Sequence, residues 1–408
     1  MAAKSETIVG LDIGTNSITV VIGETASDGQ VSIIGIGTAP SKGLRKGVVI
    51  NIEATVKSIA EAISKAETMA GREIQNVFAS ISGSHISGFN SHGIVGIKHR
   101  EVSHSDIERV IEAAKAVAIP LDREVLHVLP QEFIIDEQDG IKEPLGISGV
   151  RLESRVHIVT GSVASAQNVV KCANRCGLTV RDIVLSPLAA GKAAVTDEEK
   201  ELGVALIDVG GGTTDITVFH LGAVKHTSVI SVGGSHITND IAAGLRTPIS
   251  SAEEIKCLHG FAATSQVKAE DTIDVPSTGG REARVLSKVA LAEIIEPRVV
   301  EIFKLAHREL VRSGTDELLI SGIVLTGGTA NLSGICKTAE EVFGIPVRVG
   351  SPLNISGIKD IVAHPEYSAA VGLVLYGAES EAASGSRAGR FAVARTLKKV
   401  SGWFSEHF

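Results

Sequence analysis

Apolar positions along this chain fall into short β-like runs closed by glycine, interleaved with runs at helical spacing. Residues 8–23, IVGLDIGTNSITVVIG, form an apolar run, Asp12, a glycine turn and a β-branched run. That order predicts a β-hairpin with a glycine elbow. Residues 203–219, GVALIDVGGGTTDITVF, repeat the device around Asp208, so the chain reads as two lobes that open alike, a duplicated half rather than a short repeat. Apolar residues at Ile52, Val56, Ile59, Ala60 and Ile63 predict a helix over 52–70. Strands are predicted at 77–82, 93–97, 126–135 and 155–160. Helices are predicted at 105–117, with Ser105 as cap and Pro120 past the end, and at 164–176. In the second half, 250–258 and 286–311 read as helices, 318–325 as a buried strand, 330–343 as a helix and 365–376 as the last core helix.

The pattern changes after Tyr376. Residues 378–389, AESEAASGSRAG, hold no aliphatic larger than alanine, which predicts a linker over 378–390. In the final segment, 391–408, Val393, Leu397, Val400, Phe404 and Phe408 fall within about 80° on a helical wheel, with Trp403 at the flank. Arg395, Lys398, Lys399 and Glu406 lie opposite. A basic amphipathic helix on a tether reads as binding an anionic membrane surface through Leu397, Lys398, Lys399, Val400, Trp403 and Phe404. The competing reading is a helix docked on its own core or in a partner groove.

Composition narrows the classes. At roughly 100–200 residues per domain, 408 residues make two to four domains or one two-lobed body. Apolar residues at 44% exclude global disorder, and a net charge of −8 argues against a nucleic-acid partner. No apolar window is long enough to span a bilayer. Glu6 and Asp12 interrupt the stretch where a signal peptide needs apolar residues, so a cytosolic compartment is expected. Four cysteines make no disulfide framework and are expected to be reduced thiols; His85, His92 and His99 match no common ligand spacing.

The candidate chemistry lies in the glycine turns. Glycines let backbone N–H groups approach phosphate oxygens closely, and a Thr or Ser hydroxyl adds a donor. A carboxylate just before the turn can hold Mg²⁺ through its water shell. Two elbows facing across a cleft would clamp a nucleotide triphosphate, with Asp12 and Asp208 organising the metal. A third element, residues 323–334, IVLTGGTANLSG, suits a nucleoside lying against glycine. Alone it would be an ordinary strand–helix turn; behind two phosphate elbows, the nucleoside reading wins.

These three motifs in this order resemble the actin-like ATPase superfamily. The stretches LRKGVVIN, AEAISKAETMAG, REVLHVLPQEFIIDEQDGIKEPLGISGVRLE, DEEKELGVALIDVGGGTTDITVFHLGAVKHT and HPEYSAAVGLVLYG are similar to the FtsA family of bacterial cell-division proteins. The resemblance implies an α/β, two-lobed actin-like fold with duplicated βαβ cores around an ATP cleft. The first lobe, 1–197, would carry an inserted subdomain at about 85–160. The second, 198–377, would carry an insert at about 231–298 that receives the C-terminal tail of the tubulin-like protein FtsZ.

By motif match, Gly14, Thr15, Asn16 and Ser17 would meet phosphate from one side. Gly210, Gly211, Gly212, Thr213 and Thr214 would meet it from the other, with Gly327, Gly328 and Thr329 at adenosine. Glu253 and Lys256 stand one helical turn apart, where relatives meet the ribose; a surface ion pair is the equal alternative. Ser17 replaces a basic residue common in relatives, and Ser186 stands where hydrolytic relatives tend to place Gln or Glu to orient water. Both departures point to a slow ATPase at most; Asp215 is the candidate water-organising group, a structural hydrogen bond its equal alternative. The resemblance further implies filaments, recruitment of other division proteins and a place on the cytoplasmic face of the inner membrane at the division site. The rivals are an actin-like pilus-assembly ATPase, which explains the tail less directly, and a sugar-kinase-type phosphotransferase, for which no catalytic carboxylate motif is found. A chaperone would need a further domain after Tyr376.

Overall fold

The structure is a computed structural model that describes residues 6–26, 29–277 and 282–385. Two sheets carry the lobes. The first orders its strands Thr179–Leu185, Asn76–Ile81, Glu6–Ile13, Ser17–Thr25, Val31–Pro40 and Ile355–Gly357. The second orders Ala223–Ile230, Thr214–His220, Val204–Val209, Ile323–Thr326 and Val347–Val349. In each sheet the elbow hairpin is antiparallel and its first strand pairs in parallel with a later one. The duplication visible in the two elbows therefore extends to the whole sheet. Continuous apolar runs fit these central strands because helices cover them; every residue of Val204–Val209 is buried.

The helix Ile52–Ala70 has the bounds its periodicity predicts. The Asn51 side chain caps it by accepting from the Ala54 N–H at 3.0 Å, and Gly71 ends it in the left-handed region at φ 63°. It lies close on the strand Val31–Pro40, because a Cβ at Gly37 would stand 2.0 Å from the Ala62 carbonyl oxygen. The helix Ser186–Ala194 joins the lobes. Ala189 and Ala193 pack in a first-lobe cluster, whereas Ala190 and Ala194 pack with Val204, Leu206 and Phe219 of the second.

The inserted segment of the first lobe builds its own sheet, ordered Ser87–Gly96, Arg151–Ser162, Arg123–Ile135 and Gln138–Ile141, with the helix His104–Lys115 against it. The cap of that helix is Ser103, not Ser105: Ser103 and Asp106 satisfy each other's backbone N–H in a capping box. The insert also docks on the second lobe's edge strand, Ala223–Ile230. The Gln131 side chain donates to the Val224 carbonyl at 2.8 Å, and His157 Nε2 lies 2.8 Å from Thr227 Oγ1. Side chains of the insert thus cover backbone groups that an open sheet edge would expose.

Other boundaries also shift. The strand predicted at 318–325 starts at Ile323, because Gly322 turns the chain at φ 76°. The helix predicted at 330–343 divides into a 3₁₀ turn, Gly328–Asn331, and the helix Ile335–Phe343. The largest correction concerns the linker. The last helix runs Ser368–Gly385, so 378–385 continues a helix where the composition predicts a tether. Ala and Glu extend a helix without needing a core to hold it. The remainder of the linker and the amphipathic segment 391–408, with Leu397, Lys398, Lys399, Val400, Trp403 and Phe404, lie outside the described residues.

Candidate functional site

The two elbows meet. A Cβ on Gly212 would stand 2.6 Å from Thr15 Oγ1, and one on Gly211 would stand 2.9 Å from Asn16 Cβ. Any larger residue at either position would push the lobes apart. Between the lobes lies a cleft of about 540 Å³. Its lining includes Asp12, Gly14 to Ser17, Asp208, Gly210 to Thr213, Asp215, Glu253, Lys256 and Gly327 to Thr329. Of the predicted site residues within the described chain, Thr214 alone is outside the lining. It is fully buried, and its hydroxyl donates to the Val232 carbonyl at 2.8 Å.

The floor of the cleft holds three carboxylates. Asp12 accepts from Ser80 Oγ at 2.7 Å, and Ser186 lies near enough to hold its pKa down. Asp215 accepts from Ser82 Oγ at 2.6 Å and from Thr213 Oγ1 at 3.1 Å. Among the described residues none donates a hydrogen bond to the Asp208 carboxylate. Burial raises all three groups, Asp215 to about 6 and Asp208 well above the usual carboxylate range, and the neighbouring acids Asp215 and Asp12 push Asp208 further. Like charges held together out of water, with one left unbonded, are unfavourable until a cation arrives. Among the described residues, no group of three or more His, Cys, Asp or Glu converges to hold a metal ion directly. These carboxylates suit a hydrated cation rather than a directly ligated one; Asp12 and Asp208 are the residues that would hold its water shell.

Gly327, at φ 84°, follows the strand Ile323–Thr326, and a Cβ there would stand 2.2 Å from Asp208 Oδ1. The third glycine element and the second elbow are thus packed backbone to carboxylate. Thr329 Oγ1 donates to the Gly210 carbonyl at 3.3 Å, joining the same two elements. On the facing helix, Ile249–His259, Lys256 Nζ lies 2.7 Å from Glu253 Oε2 and 3.0 Å from Thr238 Oγ1. The pair lines the cleft and is held by a third side chain, so it is more than a solvated surface contact.

Sequence reasoning missed Ser80, Ser82, Glu366 and Tyr367, all of which line the cleft. Ser80 is a lone polar residue within an apolar run of its strand and Ser82 directly follows that strand, with no spacing to mark either. Glu366 and Tyr367 arrive from the turn before the last helix, where Glu366 accepts from Asn331 at 2.6 Å. The four cysteines are free thiols. Among the described residues, no helix is long and apolar enough to cross a membrane.

Comparison with known proteins agrees with this fold. The family "Cell division protein FtsA" matches residues 205–372, and the "SHS2 domain inserted in FTSA" matches 83–160, the segment that forms the separate sheet. Cell division protein FtsA of Pseudomonas aeruginosa is 54% identical over 374 residues, covering 92% of this chain and 90% of that protein. FtsA of Escherichia coli strain K12 is 42% identical over 417 residues, covering 100% and 99%. Among solved structures, the PilM–PilN type IV pilus biogenesis complex superposes at TM-score 0.67 with 17% identity, covering 91% of this chain and 98% of that one. MreB5 of Spiroplasma citri bound to AMPPNP superposes at 0.55 with 15% identity, covering 94% and 100%. At such identities these two likenesses speak for the actin-like fold alone, whereas the long, closely similar relatives establish that the chain belongs to the FtsA family of cell division proteins.

Proposed function

We propose that the chain binds ATP with Mg²⁺ between its lobes, polymerises as an actin homologue and ties the FtsZ ring to the cytoplasmic face of the bacterial inner membrane. The observation that carries the nucleotide reading is the meeting of two glycine elbows over three clustered carboxylates, Asp208 and Asp215 buried and Asp12 half-buried. Backbone N–H groups of Gly14 to Ser17 and of Gly210 to Thr213 would receive the phosphates. Asp12 and Asp208 would orient the metal's water shell, and the metal would offset phosphate charge. Glu253 and Lys256 would meet the ribose, and Gly327 to Thr329 the adenosine. The AMPPNP in the MreB5 likeness supports an adenine nucleotide. Ser186 engages Asp12 and is too short to orient an attacking water itself, so hydrolysis would be slow, with Asp215 organising the water.

The insert at 231–298 comprises the helices Gly234–Leu245 and Ile249–His259 and the hairpin Thr272–Val275 with Arg284–Ser287. On this reading it receives the FtsZ tail. Filaments at the division site would then help gather other division proteins.

Attachment rests on residues 391–408. Full burial of an apolar side chain is worth roughly 1.5–3 kcal/mol, and interfacial burial is partial. Each basic residue near an anionic surface adds about 1 kcal/mol. One such helix binds reversibly, and an array of them in a filament binds firmly. Purified protein is expected to co-pellet with anionic vesicles when ATP and Mg²⁺ are present. Trp403→Glu combined with Phe404→Glu is expected to leave it in the supernatant with ATP affinity unchanged in calorimetry. Wild-type pelleting by that double variant would return the tail to the docked-helix reading.

A further inference from the structure

The hydrogen bond from Ser82 to Asp215 crosses the boundary between the lobes. Ser82 follows the first-lobe strand Asn76–Ile81, and Asp215 sits on the second-lobe strand Thr214–His220. The two carboxylate oxygens of Asp215 have separate holders. Oδ2 accepts from Thr213 within its own elbow, and Oδ1 accepts from Ser82 of the other lobe. A hydroxyl has one proton to give, so Ser82 is committed to this bond.

The backbone of Ser82 is wedged as well. A Cβ on Gly47 would stand 2.8 Å from the Ser82 carbonyl oxygen, and the Gly47 N–H donates to Thr15 Oγ1 of the first elbow at 3.0 Å. Immediately after Ser82, Gly83 turns at φ 134° and the chain enters the inserted sheet. That sheet returns to grip the second lobe at Val224 and Thr227. Thr227 pairs with Thr217, and Val229 pairs with Asp215, on adjoining strands. The insert therefore holds one strand pair at two points, through its docked side chains and through its entry residue.

We propose that Ser82 is a positioning residue that sets the orientation of the Asp215 carboxylate, so that turnover of bound nucleotide depends on how the inserted subdomain sits on the second lobe. The proposal rests on the nucleotide reading of the cleft. In hydrolysis the water oxygen bonds to the γ-phosphorus as the bond to the bridging oxygen breaks. The water proton ends on phosphate, and ADP and inorganic phosphate leave. Asp215 accepts a hydrogen bond from that water and aims it; Ser82, whose one hydroxyl proton is spent on Asp215, acts through that carboxylate.

The test uses the full chain with ATP and Mg²⁺, reading affinity by calorimetry and turnover by single-turnover phosphate release. Ser82→Ala is expected to slow turnover about tenfold, the loss of one oriented hydrogen bond, with affinity held within about threefold. Ser82→Thr keeps the hydroxyl and is expected to restore most of the rate. Gln131→Ala, which loosens the docked insert far from the cleft, is expected to slow turnover about threefold at unchanged affinity. A purely structural Ser82 would lower affinity and rate together and would give no remote effect. Wild-type turnover by the Ala variant overturns the proposal, as does a wild-type protein that binds ATP without ever turning it over. Failure of the wild type to bind ATP at all overturns the reading of the cleft and this assignment with it.

Discussion

Asp208→Ala is expected to remove the Mg²⁺-dependent part of ATP affinity, a loss of about a hundredfold, or about 3 kcal/mol. The empty protein should not suffer. Asp208 is buried beside Asp215 and Asp12, and its pKa is raised well above the carboxylate range. A carboxylate raised by folding favours the folded state only below its unfolded value and loses that contribution as pH climbs through the folded value. Removing it should therefore leave the melting temperature of the empty protein at neutral pH equal to or above that of the wild type. The same sign governs binding in the wild type. A cation favours the charged carboxylates, so Mg²⁺–ATP affinity should climb as pH rises through the Asp215 value of about 6 and go on climbing until Asp208, raised further, is charged. Calorimetry across that window measures both effects. Unchanged Mg²⁺-dependent affinity in the Ala variant would dismantle the two-elbow clamp.

The second large effect is on folding. The last helix crosses Ser186–Ala194 at Gly372, where a Cβ would stand 1.8 Å from the Ala189 carbonyl oxygen and 2.3 Å from its carbon. Those are backbone atoms of a helix buried between the lobes and cannot rotate away. Gly372→Ala is expected to cost more than about 3 kcal/mol, at or beyond the top of the ordinary overpacking range. Gly377→Ala serves as the internal comparison. Its Cβ would meet side-chain carbons of Ile8 and Phe78 at 2.6 Å, and side chains can give. Thermal or denaturant unfolding of the two variants should place Gly372→Ala well below Gly377→Ala. Equal losses would mean the helix crossing is softer than the geometry implies.

Much of this fold is legible before any coordinates, for physical reasons that differ by element. The elbows announce themselves because close approach of backbones tolerates only glycine and is flanked by buried β-branched runs. The helix Ile52–Ala70 is bounded by its own cap and its own left-handed glycine, both local to the chain. Spacing alone does not choose between Ser103 and Ser105 as the cap, because each has an acid three residues on, Asp106 and Glu108; the helix starts at His104 and leaves Ser105 inside it. Other features depend on partners remote in sequence. Ser80 and Ser82 matter through carboxylates on other strands. Thr214 looks like part of a phosphate loop until its hydroxyl is seen turned to Val232. The helical continuation beyond Tyr376 is not legible from composition, because a lack of aliphatics is not a lack of helix.

The last helix has a mechanical consequence. Its 18 residues span about 27 Å from the cleft to Gly385. Tyr376 donates to Asp182 of the first-lobe sheet at 2.9 Å, Glu379 pairs with Lys192, and Gly372 is keyed against Ala189. The second lobe holds this helix near its start, where Thr326 bonds to Ser368 at 2.8 Å. Tension applied at the Gly385 end is therefore taken up as shear along the first lobe before it reaches the cleft. The second lobe feels what passes through Ser368, the helix Ser186–Ala194, the Ser82–Asp215 bond and the insert docked at Val224 and Thr227. A pull from the C-terminal side therefore loads the first lobe first and reaches the second only through those contacts.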